Sequence, residues 1–319
     1  MSKPFASSAD LGEKTERLEV LADGVYALTA EGDPNVGAIE GEDFLVAIEA
    51  RATPAAAREW LAKLREVTDK PVKYLILSHY HAVRVLGASA FDAEHIVASQ
   101  ATYDLIKERG KEDWESEFGR MPRLAKNPEE VPGLTWPTIT FEEHYEIDLG
   151  GSRGKLDLRF LGRGHTGGDI VVWHEPSKTL FAGDLVEAEA ALYTGDAYHL
   201  EWAANTLDRI KAFRSENLIG GRGAVARGTA ATDAAVEQTR SFLKGMIENV
   251  GGVHKKGGTL KEAFEAAHVA LAPQFGAWPI FEHCLPFDVQ RLWDEFDGIE
   301  HPRIWTAERD REVWAKLQG

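Results

Sequence analysis

Cysteine is nearly absent: Cys284 alone occurs in 319 residues. No disulfide can form within the chain and no cysteine-built zinc cluster is possible, so any metal must be held by histidine and carboxylate. Long apolar runs are missing as well. Nowhere do about 18 consecutive apolar residues occur, which excludes a membrane-spanning helix of ordinary length. The opening MSKPFASSADLGEKTERLEV has no apolar run long enough for a signal-peptide core, so a cytoplasmic location is expected. Basic residues are in deficit: 36 Lys and Arg stand against 52 Asp and Glu, a formal net charge of -16. A surface this acidic repels phosphate backbones and anionic lipid, so neither nucleic acid nor a membrane is an expected partner.

What remains is a globular composition, 44% hydrophobic and 28% charged with nine Trp, and a length that allows one large domain or two. Residues 18–48 alternate short apolar stretches with Gly, Asp and Asn turn signals, the pattern of hairpin-connected strands. Thr53 followed by Pro54 marks a helix start, and Trp60, Leu61, Leu64 and Val67 recur at helical spacing. The unbroken apolar run 71–77 reads as a buried strand, and a further strand (95–98) and helix (101–109) follow. The charged, proline-containing stretch 110–137 keeps no clean period and is expected to be a surface insertion or lid. Strand signals return at 139–147, 156–161, 169–174 and 179–182, and once more at 217–221. Helical spacing marks 201–213 and most of the chain beyond 233.

The strongest local signal is His79 and His81 in SHYHAVRVLGASAF, one residue apart just past the 71–77 strand. In extended backbone, residues two apart point the same way, so both imidazoles reach one point in space. Two neutral imidazoles at one point suit a divalent metal. Two loop histidines with separate hydrogen bonds would leave the same trace, so the pair alone is evenly balanced. His165 tips the balance. It lies in LGRGHTGGDIVVW, another strand end, where glycines let the backbone approach a ligand. Asp184, in LFAGDLVE, follows a third short apolar strand. Singly, Asp184 reads as a turn residue and His165 as a satisfied loop residue; together, three strand ends presenting His or Asp read as a metal site.

Strand-end HxH at His79 and His81, then GHTxGD around His165, then FxGD at Asp184, in this order and spacing, resemble the metallo-beta-lactamase fold superfamily. The resemblance runs from about residue 18 to residue 228. It implies an αββα four-layer sandwich, two mixed β-sheets flanked by helices, with a metal site at one edge. On that pattern residues 1–228 form the sandwich domain, with the insertion near 110–137, and residues 229–319 a helical C-terminal extension packed on it. His79, His81 and His165 would form the first metal position, and Asp184 would bridge to a second.

The sequence departs from the family at three places, all on the second metal's side. Where the first motif usually reads HxHxDH, Val83 stands for the Asp and Arg84 for the last His. In GGRGAVARG, Arg222 falls where a late His is usual. A guanidinium stays protonated and offers only donors, so it cannot ligate a metal. The expected site is therefore mononuclear, one zinc ion per chain on His79, His81 and His165, with Asp184 a fourth ligand or the base that orients water. Arg84 and Arg222 are expected beside Asp184, standing in for the missing cation and holding an anionic group or a developing oxyanion. Three imidazoles and an open position bring the pKa of bound water to about 7, so a metal-bound hydroxide can form without a second ion. Hydrolysis of a small ester, lactone, thioester or amide follows. Iron in the same cluster is one alternative. A non-catalytic binding or scaffold protein that keeps the fold is another.

Glu49 falls where the family commonly has an Asp that buttresses the metal loop, and reads either as that support or as an end-of-strand acid. His144 and His199 are weaker candidates. In WPIFEHCLPFDVQ, His283 reads as a replacement ligand or pocket wall and Cys284 as inert packing. The Trp-rich stretch 293–314 is expected to pack or to make a dimer contact, a homodimer being the default assembly.

Overall fold

The computed structural model describes residues 4–9 and 11–318. Sheet one contains β1 (Arg17–Ala22), β2 (Val25–Ala30), β3 (Asp33–Glu40), β4 (Leu45–Ile48), β5 (Val72–Ile76), β6 (His95–Ser99) and β7 (Ile139–Phe141), in that spatial order. It is antiparallel from β1 to β4 and parallel from β4 to β7. Sheet two holds β8 (His144–Asp148), β9 (Lys155–Phe160), β10 (Ile170–His174), β11 (Thr179–Gly183), β12 (Asn217–Gly220) and β13 (Ala226–Arg227). Their order is the sequence order reversed, and only β11 and β12 pair in parallel.

Side-chain alternation along the strands builds three apolar layers. Between the sheets, Val46, Ile48, Ile76 and Val97 meet Leu158, Ile170, Val172, Phe181 and Ile219. Gly37 on β3 allows the approach, because a Cβ there would lie 2.1 Å from the Phe181 ring. Leu45, Ala47 and Leu75 turn outward to Trp60 and Leu64 of α1 (Pro54–Leu64), whose start is capped by the Thr53 side chain accepting from the Ala56 N–H. Then come α2 (Ala82–Val85), α3 (Gln100–Arg120) and α4 (His199–Glu201), which runs through a π turn at Trp202–Thr206 into α5 (Leu207–Lys211). The chain ends in α6 (Thr229–Lys255), α7 (Leu260–Phe275), α8 (Phe281–Phe296) and α9 (Ala307–Gln318). Phe242, Leu243, Phe287 and Trp314 from these last helices share one core with Leu180 and Leu218 of sheet two. The result is the αββα sandwich with C-terminal helices against its second sheet. No helix among the described residues is long and apolar enough to cross a membrane.

The stretch 110–137 differs from the surface insertion expected of it. Its first part belongs to α3, where Arg109, Asp113, Ser116, Glu117 and Arg120 are buried. Asp113 and Glu117 accept from the backbone beneath the helix, Arg109 donates to Asp196 and Ser116 to Asp310, so the buried face is polar and no apolar stripe marks the helix in the sequence. The remainder returns through a short 3-10 turn (Pro128–Glu130) and is pinned where the Thr135 hydroxyl donates to the Val85 carbonyl at 2.6 Å.

Candidate metal centre

Beyond β5 the chain crosses residues 77–81 into α2, so His79 and His81 leave the sheet edge together. The Ile170 N–H donates to the Ser78 carbonyl at 2.9 Å and ties this loop to sheet two. His165 stands in the turn after β9, and Asp184 follows β11. Held by three strand ends, the ligand atoms of buried His79, His81 and His165 lie within 4.8 Å of one another, the one such group of three among the described residues. His165 Nε2 is 3.0 Å from His81 Nδ1. Asp184 Oδ2 is 3.6 Å from His165 Nε2 and 3.8 Å from His79 Nε2.

The donor set fits a divalent ion. His79 Nε2 is buried with no hydrogen-bond partner among the described residues, while its Nδ1 lies 2.8 Å from Ser78 Oγ. His81 Nε2 faces Asp196 Oδ2 at 3.2 Å, which leaves Nδ1 for the cluster. In both rings one nitrogen is held from behind and the other faces in, as metal-binding imidazoles require. Burial, against the pull of Asp184, holds His79 well below the ordinary imidazole range and takes His165 to about 3, so both are neutral at pH 7. His81 moves the other way, to about 9: burial lowers it, but Asp113, Asp196 and Glu117 outweigh burial.

Arg84 on α2 and Arg222 just past β12 both reach Asp184. Arg84 Nη2 donates to Asp184 Oδ1 and, at 2.7 Å, to the Gly221 carbonyl, while Nη1 donates to the Asn35 carbonyl at 3.0 Å. Arg222 Nη1 donates to Asp184 Oδ2 at 3.2 Å and to Glu187 Oε1 at 3.4 Å. Burial alone would raise the Asp184 carboxyl, yet Arg84, His79, His165 and Arg222 hold it far below the usual carboxylate range. Burial does prevail at Glu187, pushed up to about 8, and at Glu49, pushed up to about 7, whose Oε2 lies 3.5 Å from the Ser78 N–H against the histidine loop. Position 221 tolerates only glycine here, since a Cβ would lie 2.0 Å from Asp184 Oδ1 and 2.7 Å from Arg84 Nη2.

The sequence pattern of the Metallo-beta-lactamase superfamily matches residues 30–222, a span that includes the whole cluster. The chain belongs to this superfamily. "Metallo-beta-lactamase type 2" of Bacillus sp. (strain 170) is 27% identical over 180 residues, 55% of this chain and 60% of that protein. "Linear primary-alkylsulfatase" of Pseudomonas sp. (strain ATCC 19151) is 21% identical over 326 residues, 88% of this chain and again 60% of that protein. The chain thus spans 60% of the length of these two curated relatives. The solved metallo-beta-lactamase from Pontibacter korlensis superposes with a TM-score of 0.57 at 20% identity, over 72% of this chain and 99% of that one. The one from Hirschia baltica gives 0.54 at 20% identity, over 71% and 98%. At such identity these structures establish the fold alone. Superfamily membership implies a divalent metal, and the three-histidine group is where this chain offers one ligands.

Sequence reasoning passed over the groups that hold the superfamily's HxH loop. Asp113 accepts from the Ala82 N–H at 2.6 Å, Glu117 from the Val83 N–H at 3.2 Å, and Asp196 from the Tyr80 hydroxyl at 2.9 Å. On α3 a signal existed, since Arg109, Asp113, Glu117 and Arg120 fall on one face at helical spacing. Asp196 lies in an irregular loop that carries none. Above the cluster, the Tyr193 ring lies 5.6 Å from His81 and 6.3 Å from His165. Arg120 and Phe287 in turn cover Tyr193, at 4.7 and 6.2 Å.

The other sequence candidates lie apart from the cluster. His144 is exposed and pairs with Asp157. His199 is buried and satisfied by Glu295 at 2.9 Å and Thr194 at 2.8 Å. His283, buried on α8, has Nδ1 2.7 Å from Ser7 Oγ and is not part of the three-histidine group. Cys284 is fully buried, and burial pushes its thiol well above the ordinary range, which leaves it unreactive. Trp305 and Trp314 of the aromatic tail are buried against Phe287.

Proposed function

We propose that the chain is a metal-dependent hydrolase working with one divalent ion, zinc, on His79, His81 and His165. The observation that carries this reading is the unpartnered, inward-facing Nε2 of His79 on one side of Asp184 and the Arg84 guanidinium on the other. Ligands for a first ion face one another, and a protein cation stands where ligands for a second would be. A divalent ion there supplies Lewis-acid activation of water. Asp184, kept ionised by two guanidinium groups, has Oδ2 on the histidine side, so it completes the ligand set or accepts a hydrogen bond from the water and orients it. Arg84 and Arg222 each keep a buried Nε without a partner among the described residues, a donor for an anionic group or a developing oxyanion. The substrate class is a small ester, lactone, thioester or amide. The likeness to the alkylsulfatase, which extends over 88% of this chain, supports adding linear alkyl sulfates to it. The reading includes a cytoplasmic location and a small molecule, not nucleic acid or membrane, as partner.

One observation favours a second reading, a binding or scaffold protein without catalysis. His79, His81 and His165 are 0, 2 and 1% exposed beneath Tyr193, so a substrate reaches them only if the cover moves. Elemental mass spectrometry of protein purified without chelator separates the two. About one zinc per chain, lost in His165→Ala, supports the single-site hydrolase and opens a screen of the named substrates. About two ions per chain would overturn the account of Arg84 and Arg222. No metal after incubation with zinc leaves the binding protein, and bound iron redirects the reading to redox chemistry.

A further inference from the structure

We infer that Asp196 is a positioning residue for the metal: it selects the nitrogen that His81 presents to the ion and holds that ring in place. The inference rests on the three-histidine reading above. Asp196 lies in the loop between β11 and α4, 3% exposed, and its carboxylate takes three contacts from three directions. His81 Nε2 stands 3.2 Å from Oδ2, the Tyr80 hydroxyl donates to the same oxygen at 2.9 Å, and Arg109 Nη1 donates to Oδ1 at 3.1 Å.

The chemistry of those contacts fixes a tautomer. An ionised carboxylate only accepts, and Arg109 with its permanent charge keeps this one ionised, so the His81 hydrogen must sit on Nε2. An imidazole that gives up a proton to bind an ion therefore gives it up at Nδ1, the atom turned toward His165 Nε2 at 3.0 Å, and keeps the hydrogen on Nε2. His79 has no such director: its partner is the Ser78 hydroxyl, which donates or accepts as required and so dictates no tautomer. Asp196 is therefore the carboxylate behind the HxH pair. It is anchored independently of the histidine, because Arg109 belongs to α3, the helix whose Asp113 and Glu117 hold the Ala82 and Val83 N–H groups. Ring, loop and helix are locked to one another through a single side chain.

The test is the affinity of the folded protein for zinc and cobalt(II), measured by competition with a chromogenic chelator, together with the visible spectrum of the cobalt form. Asp196→Ala is expected to weaken binding about 10- to 100-fold and to alter the cobalt spectrum, since His81 then presents either nitrogen. Asp196→Asn keeps an acceptor against His81 Nε2 but loses the charge, so its affinity falls between wild type and Asp196→Ala. It also serves should the alanine variant fail to fold. Asp310→Asn is the control: Asp310 is another buried carboxylate, 1% exposed, but it meets Ser116 and Arg120 and no histidine of the cluster. That variant should melt earlier and bind metal as wild type does. Asp196 variants that melt earlier yet keep wild-type affinity and spectrum would overturn the positioning role. A wild-type protein that takes up neither ion would instead overturn the three-histidine reading itself.

Discussion

The Arg84 guanidinium, fully buried on α2, lies on the Asp184 carboxylate at the end of β11. It also donates to the carbonyls of Asn35 and Gly221, so one side chain gathers β3, β11 and the end of β12 around a single charge. A metal ion at that place would depend on supply and on pH. A guanidinium does not, because it stays charged at every pH the fold survives and cannot be removed by a chelator.

Removing Arg84 should therefore be costly even without metal. Asp184 would be left buried with Arg222 alone, and breaking one side of a buried ion pair costs about 3–5 kcal/mol. Urea unfolding of metal-free Arg84→Ala should show that loss, and Arg84→Lys should recover little of it, since an ammonium lacks the fork that reaches three acceptors at once. A loss of only about 1 kcal/mol, the value of an exposed pair, would mean that Asp184 finds another partner or takes up a proton.

Restoring the family residues should restore a second ion. In the triple variant Val83→Asp, Arg84→His and Arg222→His, the positions resembling the family's second-site ligands again carry a carboxylate and two imidazoles. Metal content by elemental analysis is expected to rise from one ion per chain to two. If the variant folds and the count does not change, the correspondence of these three positions to a second site is mistaken.

How far the sequence carried depended on how each feature was encoded. The strands were legible because short apolar runs such as 45–48 stand between Gly, Asp and Asn turn signals, and α1 because Thr53 and Pro54 punctuate it. The three histidines and Asp184 were legible because each follows an apolar strand. The buried face of α3 was not, because Asp113, Glu117 and Arg120 are charged and hydropathy reads charge as surface. Their partners, the Ala82 and Val83 N–H groups of α2 and Asp310 of α9, lie far along the chain, so the one-face spacing of these charges names no partner. Asp196 escaped for the same reason, since only the fold brings it behind His81.

Acid should weaken the first sheet through Glu40. Burial would raise this carboxyl, but Lys70 Nζ at 2.7 Å and the Tyr26 hydroxyl at 2.8 Å outweigh that and lower it. A carboxyl with a lower pKa in the folded state stabilises above its unfolded value, about 4.3 for Glu, and the contribution drains away as pH falls through the folded value. Thermal melts from neutral pH into acid should therefore show Glu40→Gln melting earlier at pH 7, with the gap closing at acid pH. A gap that stays constant with pH would mean that the ionised Glu40 contributes nothing.

The cover over the cluster should control how fast metal leaves. Tyr193 lies against His81 and His165, and Arg120 and Phe287 lie against Tyr193. Phe287 is itself backed by Trp305 and Trp314, so the outer helices hold the tyrosine in place and the tyrosine closes the site. An ion under such a cover escapes only during local opening, whose frequency is set by the packing that opening breaks. Zinc-loaded Tyr193→Ala should therefore lose its metal to excess EDTA faster than wild type, and Phe287→Ala, which acts through Tyr193, at a rate in between. Equal rates in all three proteins would mean that ions pass by a path that does not involve Tyr193 and that Tyr193 is a wall of the site.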